Sequence, residues 1–301
     1  MNYAYSLLPL LGLLWALVGI IVSEAKQNGI RPQHFYLTGS LCSSMLLFLL
    51  NLFFSSGTNL DKSKLHAIVF YVLAAFLNGS GQALSMSNLK RQGRALAYSI
   101  PLLAFLLPYF WSVAFWSQSF TWKALTGLVL ITGAIIYLSA NKKRTVQTEN
   151  KACLPLNQII VAFAALLIIG IAQTLLSIPS QMPAERTLSP LQGAFVLQAS
   201  SALFFLGWTL LGKDCSIANL KRSIPYGLLW GTTAAASYSV LLPALLLLGR
   251  VRQAGIVFPA GCSLTILLFT SYTAIRYRER LSWKQCLAFA SVIAGIFMVK
   301  L

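Results

Sequence analysis

A small set of polar and aromatic side chains lies inside otherwise apolar stretches of this sequence, where it could bind a small molecule. Asn78 and Gln82 are four residues apart in one such stretch, so a helix would place both amides on the same face. Amide groups donate and accept hydrogen bonds, and aromatic rings stack on flat or sugar-like ligands. The predicted substrate-binding residues are Trp15, Asn78, Gln82, Tyr98, Gln173, Trp230, Thr233 and Ser237.

Each of these residue types also has a purely structural interpretation. The hydroxyls of Thr233 and Ser237 could bond their own helix backbone or a neighbouring helix, which contributes only about 0.6 kcal/mol in a membrane. The amides are costlier to bury, so they contact either substrate or another helix. Pro101 and Pro259 interrupt helix hydrogen bonding, and we predict a hinge or a kink at each.

The residue types that perform acid–base, nucleophilic or metal chemistry do not occur where they would be needed. All 6 Asp+Glu lie in connectors or at the ends of apolar stretches, so none is placed to bind a cation or relay protons at mid-membrane. The 5 Cys and 2 His show no metal-ligand spacing. No phosphate-binding glycine loop with a lysine appears. We expect no enzyme activity, no cofactor and no metal, and a neutral or zwitterionic metabolite as ligand.

The elements that must position these residues are membrane-spanning helices. Of the 301 residues, 57% are hydrophobic and 10% are charged, against about 25% charged in soluble domains. This composition excludes a soluble enzyme. Crossing the hydrocarbon layer takes about 20 apolar residues, and the sequence contains ten such stretches: 3–23, 35–55, 66–88, 94–117, 122–140, 156–178, 190–211, 224–248, 254–275 and 282–299.

The positive charges indicate how these spans are oriented. The formal net charge is +17, with the cations in short connectors between apolar spans, so we expect a lipid bilayer and no nucleic acid as partner. Of the 23 Lys+Arg, 16 fall in the connectors between spans 1–2, 3–4, 5–6, 7–8 and 9–10 or at the adjoining span ends, as Arg94 and Lys284 do. The positive-inside rule then places the connector between spans 5 and 6 in the cytoplasm and both termini outside. The predicted location is a bacterial inner (plasma) membrane.

The two halves of the chain align on each other at an offset of 158 residues. Gly12 meets Gly170, and Arg94 and Pro101 meet their counterparts in the second half. We predict a first five-helix repeat over 1–141, a polar connector over 142–153 and a second repeat over 154–301. Five is an odd number, so consecutive repeats insert with opposite orientation. The predicted fold is an all-α membrane protein of ten transmembrane helices arranged as two inverted five-helix repeats, with the binding site between them.

These features resemble the drug/metabolite transporter superfamily. The resemblance rests on Gly12-x-x-Trp15 in the first span, on prolines in the fourth and ninth spans, and on the segment Arg278–Trp283 before the last span. Within that superfamily the chain is similar to carriers with two EamA-like domains. It departs from the family pattern at Gln118, where a glutamate is common. The resemblance implies that spans 1, 3, 4, 6, 8 and 9 line a central cavity.

The expected function is secondary transport of a small neutral or zwitterionic metabolite by alternating access, in the direction of export. Two alternatives stay open: an uptake carrier for a sugar or related nutrient, and a non-transporting, receptor-like membrane protein. Small residues recur four apart in the last span, at Ala290/Ala294 and at Ser291/Gly295. Such faces pack closely on other helices, so we expect a monomer or a homodimer through the last helix.

Overall fold

A computed structural model describes residues 2–54, 62–88, 103–140, 156–212, 217–276 and 282–300, which form helices joined by short turns, with no strand among them. The prediction of an all-helical fold is therefore confirmed. In chain order the helices are α1 (Asn2–Gln27), α2 (Pro32–Phe54), α3 (Leu65–Asn88), α4 (Leu106–Phe115), α5 (Trp122–Ala140), α6 (Leu156–Ser177), α7 (Pro190–Leu211), α8 (Ile217–Arg250), α9 (Val257–Arg276) and α10 (Trp283–Lys300).

The length and composition of these helices suit a membrane. By those two criteria α1, α2, α3, α6, α7, α8 and α9 are long and apolar enough to cross one, and α4, α5 and α10 are shorter apolar helices. Their outer faces carry large exposed hydrophobic side chains, among them Leu211 at 89%, Trp122 at 81% and Phe53 at 80% exposure. Soluble proteins rarely expose apolar surface so extensively. The helices and their outer faces are consistent with an integral membrane protein.

Local sequence explains where two of the helices begin or end. After α1 the chain turns at Gly29 with φ of +73°, and the Ile30 N–H donates to the Ala25 carbonyl at 3.1 Å, which is the Schellman pattern of helix termination. Helix α7 begins with a capping box, in which the Ser189 hydroxyl accepts from the Gln192 N–H at 3.3 Å. Both features satisfy backbone groups that a helix end leaves without partners.

One predicted span differs from the helix found, and another is only partly described. The eighth was expected over 224–248, but α8 runs from Ile217 to Arg250, past Lys221 and Arg222. Hydropathy marks the apolar part of a helix and not its end, so a charged first turn is missed. The fourth was expected over 94–117; the described part of it is a 3₁₀ turn, Leu103–Phe105, followed by α4. The predicted connector 142–153 lies outside the described residues.

Helices from the two halves of the chain pack directly on each other. Helix α1 packs on α8 and α9, α2 on α7 and α8, α3 on α6 and α7, and α4 on α6. Helices α2 and α8 approach backbone to backbone, because a Cβ on Gly231 would lie 2.5 Å from the Gly39 carbonyl oxygen. The Asn51 amide donates to the Leu191 carbonyl at 2.9 Å and ties α2 to α7.

The last helix packs against α5 through small residues. A Cβ on Gly295 would lie 2.7 Å from the Gly127 carbonyl oxygen and equally close to Ile131, whereas Gly127 lies next to Val299. From Gly127 to Ile131 along α5, the contacted residues on α10 run from Val299 back to Gly295, so the two helices are antiparallel. Of the two small-residue faces predicted for a dimer, the one containing Gly295 is therefore occupied within the chain. The other, with Ala290 and Ala294, is exposed.

Candidate functional site

A central cavity lies between α1, α3, α6, α8 and α9, with one residue each from α2 and α7. Its volume is about 170 Å³. Much of its wall is apolar, with Val18 and Ile169 as examples. Its polar and aromatic side chains are Trp15, Tyr36, Asn78, Gln82, Ser85, Gln173, Trp230, Tyr238, Phe258 and Thr265, with Cys262 beside them.

The amides reach the cavity from two neighbouring helices. On α3 the Asn78 side chain donates a hydrogen bond to the Tyr238 hydroxyl oxygen of α8 at 3.2 Å, and Gln82 lines the cavity one turn further along. On α6 the Oε1 of Gln173 is buried and has no hydrogen-bond partner within the described ranges. Asn78 is thus oriented by Tyr238, whereas Gln173 retains an acceptor for a ligand.

Aromatic rings form two groups on the cavity wall. Trp15 stacks on Phe258, with ring centroids 6.3 Å apart and planes 21° from parallel. Tyr36 meets Trp230 edge-on, with centroids 5.3 Å apart and planes at 81°. Each group joins a helix of the first half to a helix of the second half. The cavity therefore offers flat apolar surfaces on which a planar ligand could stack.

Both tryptophans rest against a glycine of a neighbouring helix. A Cβ on Gly261 of α9 would lie 2.7 Å from Cζ3 of Trp15, and a Cβ on Gly39 of α2 would lie 2.4 Å from Cε3 of Trp230. No real Cβ fits at these distances. The Cε3–Cζ3 edge of each indole is thereby fixed against a backbone, and the diagonally opposite edge, with Nε1, is directed away from that helix.

The structure brings five of the eight predicted binding residues to the cavity: Trp15, Asn78, Gln82, Gln173 and Trp230. Tyr98 lies outside the described residues, as does the predicted hinge Pro101.

Thr233 and Ser237 do not line the cavity, which corrects their predicted placement. The Thr233 hydroxyl donates to the Leu229 carbonyl at 2.8 Å, and the Ser237 hydroxyl donates to the Ala234 carbonyl at 3.0 Å. Each is satisfied within α8, so its polarity requires no cavity.

The predicted hinge at Pro259 lies in the first turn of α9. Helix α9 begins at Val257, directly after a 3₁₀ turn over Ala254–Ile256. A proline in the first turn removes no intrahelical hydrogen bond, since the N–H groups there have no partner within the helix. Any bending at Pro259 would therefore occur between the 3₁₀ turn and α9, not in the middle of the helix.

The sequence interpretation missed several cavity residues. Tyr238 follows Trp230 by two turns of α8, and this spacing could have identified it in place of Ser237. Ser85 extends the Asn78 and Gln82 stripe, and its hydroxyl is buried with no partner among the described residues. No sequence signal distinguishes the remaining ones, which are Tyr36, Phe258, Cys262 and Thr265, from ordinary core residues.

The chemistry of the cavity is that of binding. Among the lining residues that the structure describes, none carries a formal charge. Within the same described ranges, no three His, Cys, Asp or Glu side chains come together in a group that could hold a metal ion. Amides, hydroxyls and aromatic faces can hold a ligand through hydrogen bonds and stacking.

The hydrogen bond between Asn78 and Tyr238 is expected to couple the two residues energetically. Asn78→Ala and Tyr238→Phe should each lower stability, and the double variant should lose less than the sum, with a coupling of about 0.6 kcal/mol. Unfolding of the four proteins in detergent measures this coupling. Strict additivity would show that the bond contributes nothing to the fold.

Comparison with known proteins supports the fold and does not name a function. No protein-family model matches the chain, and no curated protein matches it either. One solved structure, described only as the crystal structure of a protein, is similar to it with a TM-score of 0.69 and 14% sequence identity. The similarity covers 99% of this chain and 96% of that chain. At this identity the likeness concerns the fold alone.

Proposed function

We propose that the chain is a secondary transporter that moves a small uncharged or zwitterionic metabolite across a membrane by alternating access. The observation that carries the proposal is the central cavity, whose wall combines α1 and α3 of the first half with α6, α8 and α9 of the second. A site between two halves becomes accessible from either side when one half moves against the other.

The packing of the helices supports two repeats related by a two-fold axis. If α1 to α5 are exchanged with α6 to α10, the α1–α8 contact becomes α6–α3, α1–α9 becomes α6–α4, and α2–α8 becomes α7–α3, and all of these contacts are present. The equivalent glycines Gly12 and Gly170 both allow close approach, the first to Leu264 of α9 and the second to Leu107 of α4. The proposed boundaries of the repeats are 1–141 and 154–301.

The antiparallel helix pairs support opposite orientations of these repeats. Helices α5 and α10 occupy equivalent places and are antiparallel, as described above. Helices α2 and α7 are also equivalent, and their contacts Tyr36–Phe205 and Phe48–Phe195 follow opposite directions along the two helices. Equivalent helices that are antiparallel imply inverted repeats. We therefore propose the ten-helix inverted arrangement of the carriers with two EamA-like domains, which the sequence resembles, in a bacterial inner membrane with the cytoplasmic connector between α5 and α6.

Transport can be tested by counterflow in proteoliposomes with labelled amino acids, sugars and nucleobases. We expect one class of compound to exchange, and Trp15→Ala or Gln82→Ala to reduce its rate at least about 10-fold, because each removes cavity wall that contacts the ligand. The matched control is Ser80→Ala on α3, whose hydroxyl donates to the Phe76 carbonyl at 2.8 Å. Equal exchange by all of these variants would place the ligand elsewhere.

Direction distinguishes the two transport hypotheses. Export is expected to deplete the metabolite from cells that express the protein, and uptake to enrich it. If no compound exchanges through protein that remains folded, the receptor-like alternative gains support, since binding without flux is what it predicts.

A further inference from the structure

The Trp230 indole provides a hydrogen-bond donor that has no partner among the residues that the structure describes. The side chain is 4% exposed, and its Nε1 is buried with no acceptor in the described part of the chain. Buried polar groups in proteins nearly always have a partner. Gly39 of α2 contacts the Cε3–Cζ3 edge of the ring, so the N–H points away from α2, and Trp230 lines the cavity.

Whereas Trp230 needs a hydrogen-bond acceptor, Gln173 needs a hydrogen-bond donor. Gln173 lines the same cavity from α6, and its Oε1 is buried with no hydrogen-bond partner among the described residues. An amide oxygen accepts hydrogen bonds, whereas an indole N–H only donates. The buried Ser85 hydroxyl, also without a partner, can do either. A ligand that satisfies the site must therefore present both a donor and an acceptor.

The remaining wall restricts the shape and charge of that ligand. Trp15 stacked on Phe258, and Trp230 beside Tyr36, provide flat aromatic surfaces. No charged side chain among the described lining residues would compensate a buried ammonium or carboxylate, and an uncompensated charge in such a site is costly. A non-planar polyol would leave many hydroxyls facing apolar wall.

We propose that the ligand is an uncharged, planar heteroaromatic compound with a ring N–H and a carbonyl or ring-nitrogen acceptor on its edge, the chemistry of a nucleobase. The N–H donates to Gln173 Oε1 and the acceptor receives the Trp230 N–H, while the ring stacks on the aromatic wall. This inference rests on the proposed function, because it names the substrate class of the same cavity.

Matched probes test the two hydrogen bonds separately by equilibrium binding to the full chain in detergent. Theophylline carries one ring N–H and carbonyl acceptors; caffeine differs by one N-methyl group and has only acceptors; indole has only a donor. We expect wild-type protein to bind theophylline about 10-fold more tightly than caffeine. Gln173→Met should remove this preference, because it deletes the acceptor while preserving the length of the side chain.

Trp230→Phe should weaken the binding of caffeine and of theophylline about 10-fold and leave the binding of indole unchanged, since it deletes the donor and keeps an aromatic ring. Trp208→Phe on α7, outside the cavity, is the matched control and should bind all three probes like wild type. Thermal unfolding of each variant identifies any that fail to fold. If neither cavity variant folds, Ser85→Ala is tested in place of Trp230→Phe. We expect Ser85→Ala to weaken the binding of theophylline.

Counterflow separates this inference from the proposed function. If an amino acid or a sugar exchanges while no planar probe binds at millimolar concentration, the substrate class is wrong and transport stands. If planar probes bind with the expected preferences but none exchanges, the ligand class stands and transport is wrong. Equal effects of Gln173→Met on theophylline and caffeine would overturn the assignment of the donor site.

Discussion

Gly127→Val is expected to destabilise the folded protein by about 3 kcal/mol. A Cβ at this position would lie 2.6 Å from the Gly295 carbonyl oxygen and 2.9 Å from Cγ2 of Val299. A carbonyl of a packed helix cannot rotate away as a side chain can, so α5 and α10 would have to separate. The midpoint of thermal or denaturant unfolding of the purified protein in detergent measures the loss.

Gly133 on the same helix provides the control. Apart from the adjoining backbone of α5, no atom that the structure describes lies within 4 Å of a Cβ at Gly133, so Gly133→Val should leave the unfolding midpoint nearly unchanged. If both substitutions destabilise equally, the effect comes from valine in a helix and not from the contact between α5 and α10. If neither does, the close contact of these two helices is wrong.

Gly261→Ala is expected to weaken transport about 10-fold although Gly261 is itself outside the cavity wall. The added Cβ would meet Cζ3 of Trp15 at 2.7 Å and Cε3 at 3.1 Å, so the indole must shift from its stacked position on Phe258. A shift of a ring that contacts the ligand raises the half-saturation concentration of counterflow. Gly207→Ala on α7 should exchange like wild type, because no described atom apart from the adjoining helix backbone lies within 4 Å of its added Cβ.

A second variant distinguishes positioning of Trp15 from general damage to the fold. In a Trp15→Phe background the outer carbons of the indole are absent, so Gly261→Ala should have little further effect on half-saturation. If the two changes instead multiply, Gly261 acts on the fold and not through Trp15. Gly39→Ala is expected to displace Trp230 in the same way, because its added Cβ would lie 2.4 Å from Cε3 of that indole.

The distribution of hydrophobicity was sufficient to predict the class of fold. Apolar stretches of about 20 residues must satisfy their backbone groups internally in lipid, so they form helices. This is why the predicted stretch 190–211 coincides with α7, whose start is also marked by Ser189 and Pro190. The start of α8 was missed because its first turns contain Lys221 and Arg222, and nothing in a hydropathy pattern requires a helix to end where its apolar part ends.

The sequence by itself determined that the polar side chains in the middle of the spans are neutral amides and aromatic rings, and that no carboxylate lies there. Burying an amide is costly enough that Asn78, Gln82 and Gln173 had to find a partner or a cavity. Only the tertiary structure decided that Tyr238, and not Ser237, faces the cavity on α8. The hydroxyl of Ser237 bonds the backbone of its own helix, and it could do so whichever side of α8 it faced. Its neighbour Tyr238, about 100° further around the helix, is the residue that faces the cavity. The spacing of Trp230 and Tyr238 places both on one face of α8, but which face is turned to the cavity is set by the contacts of α8 with α1 and α2.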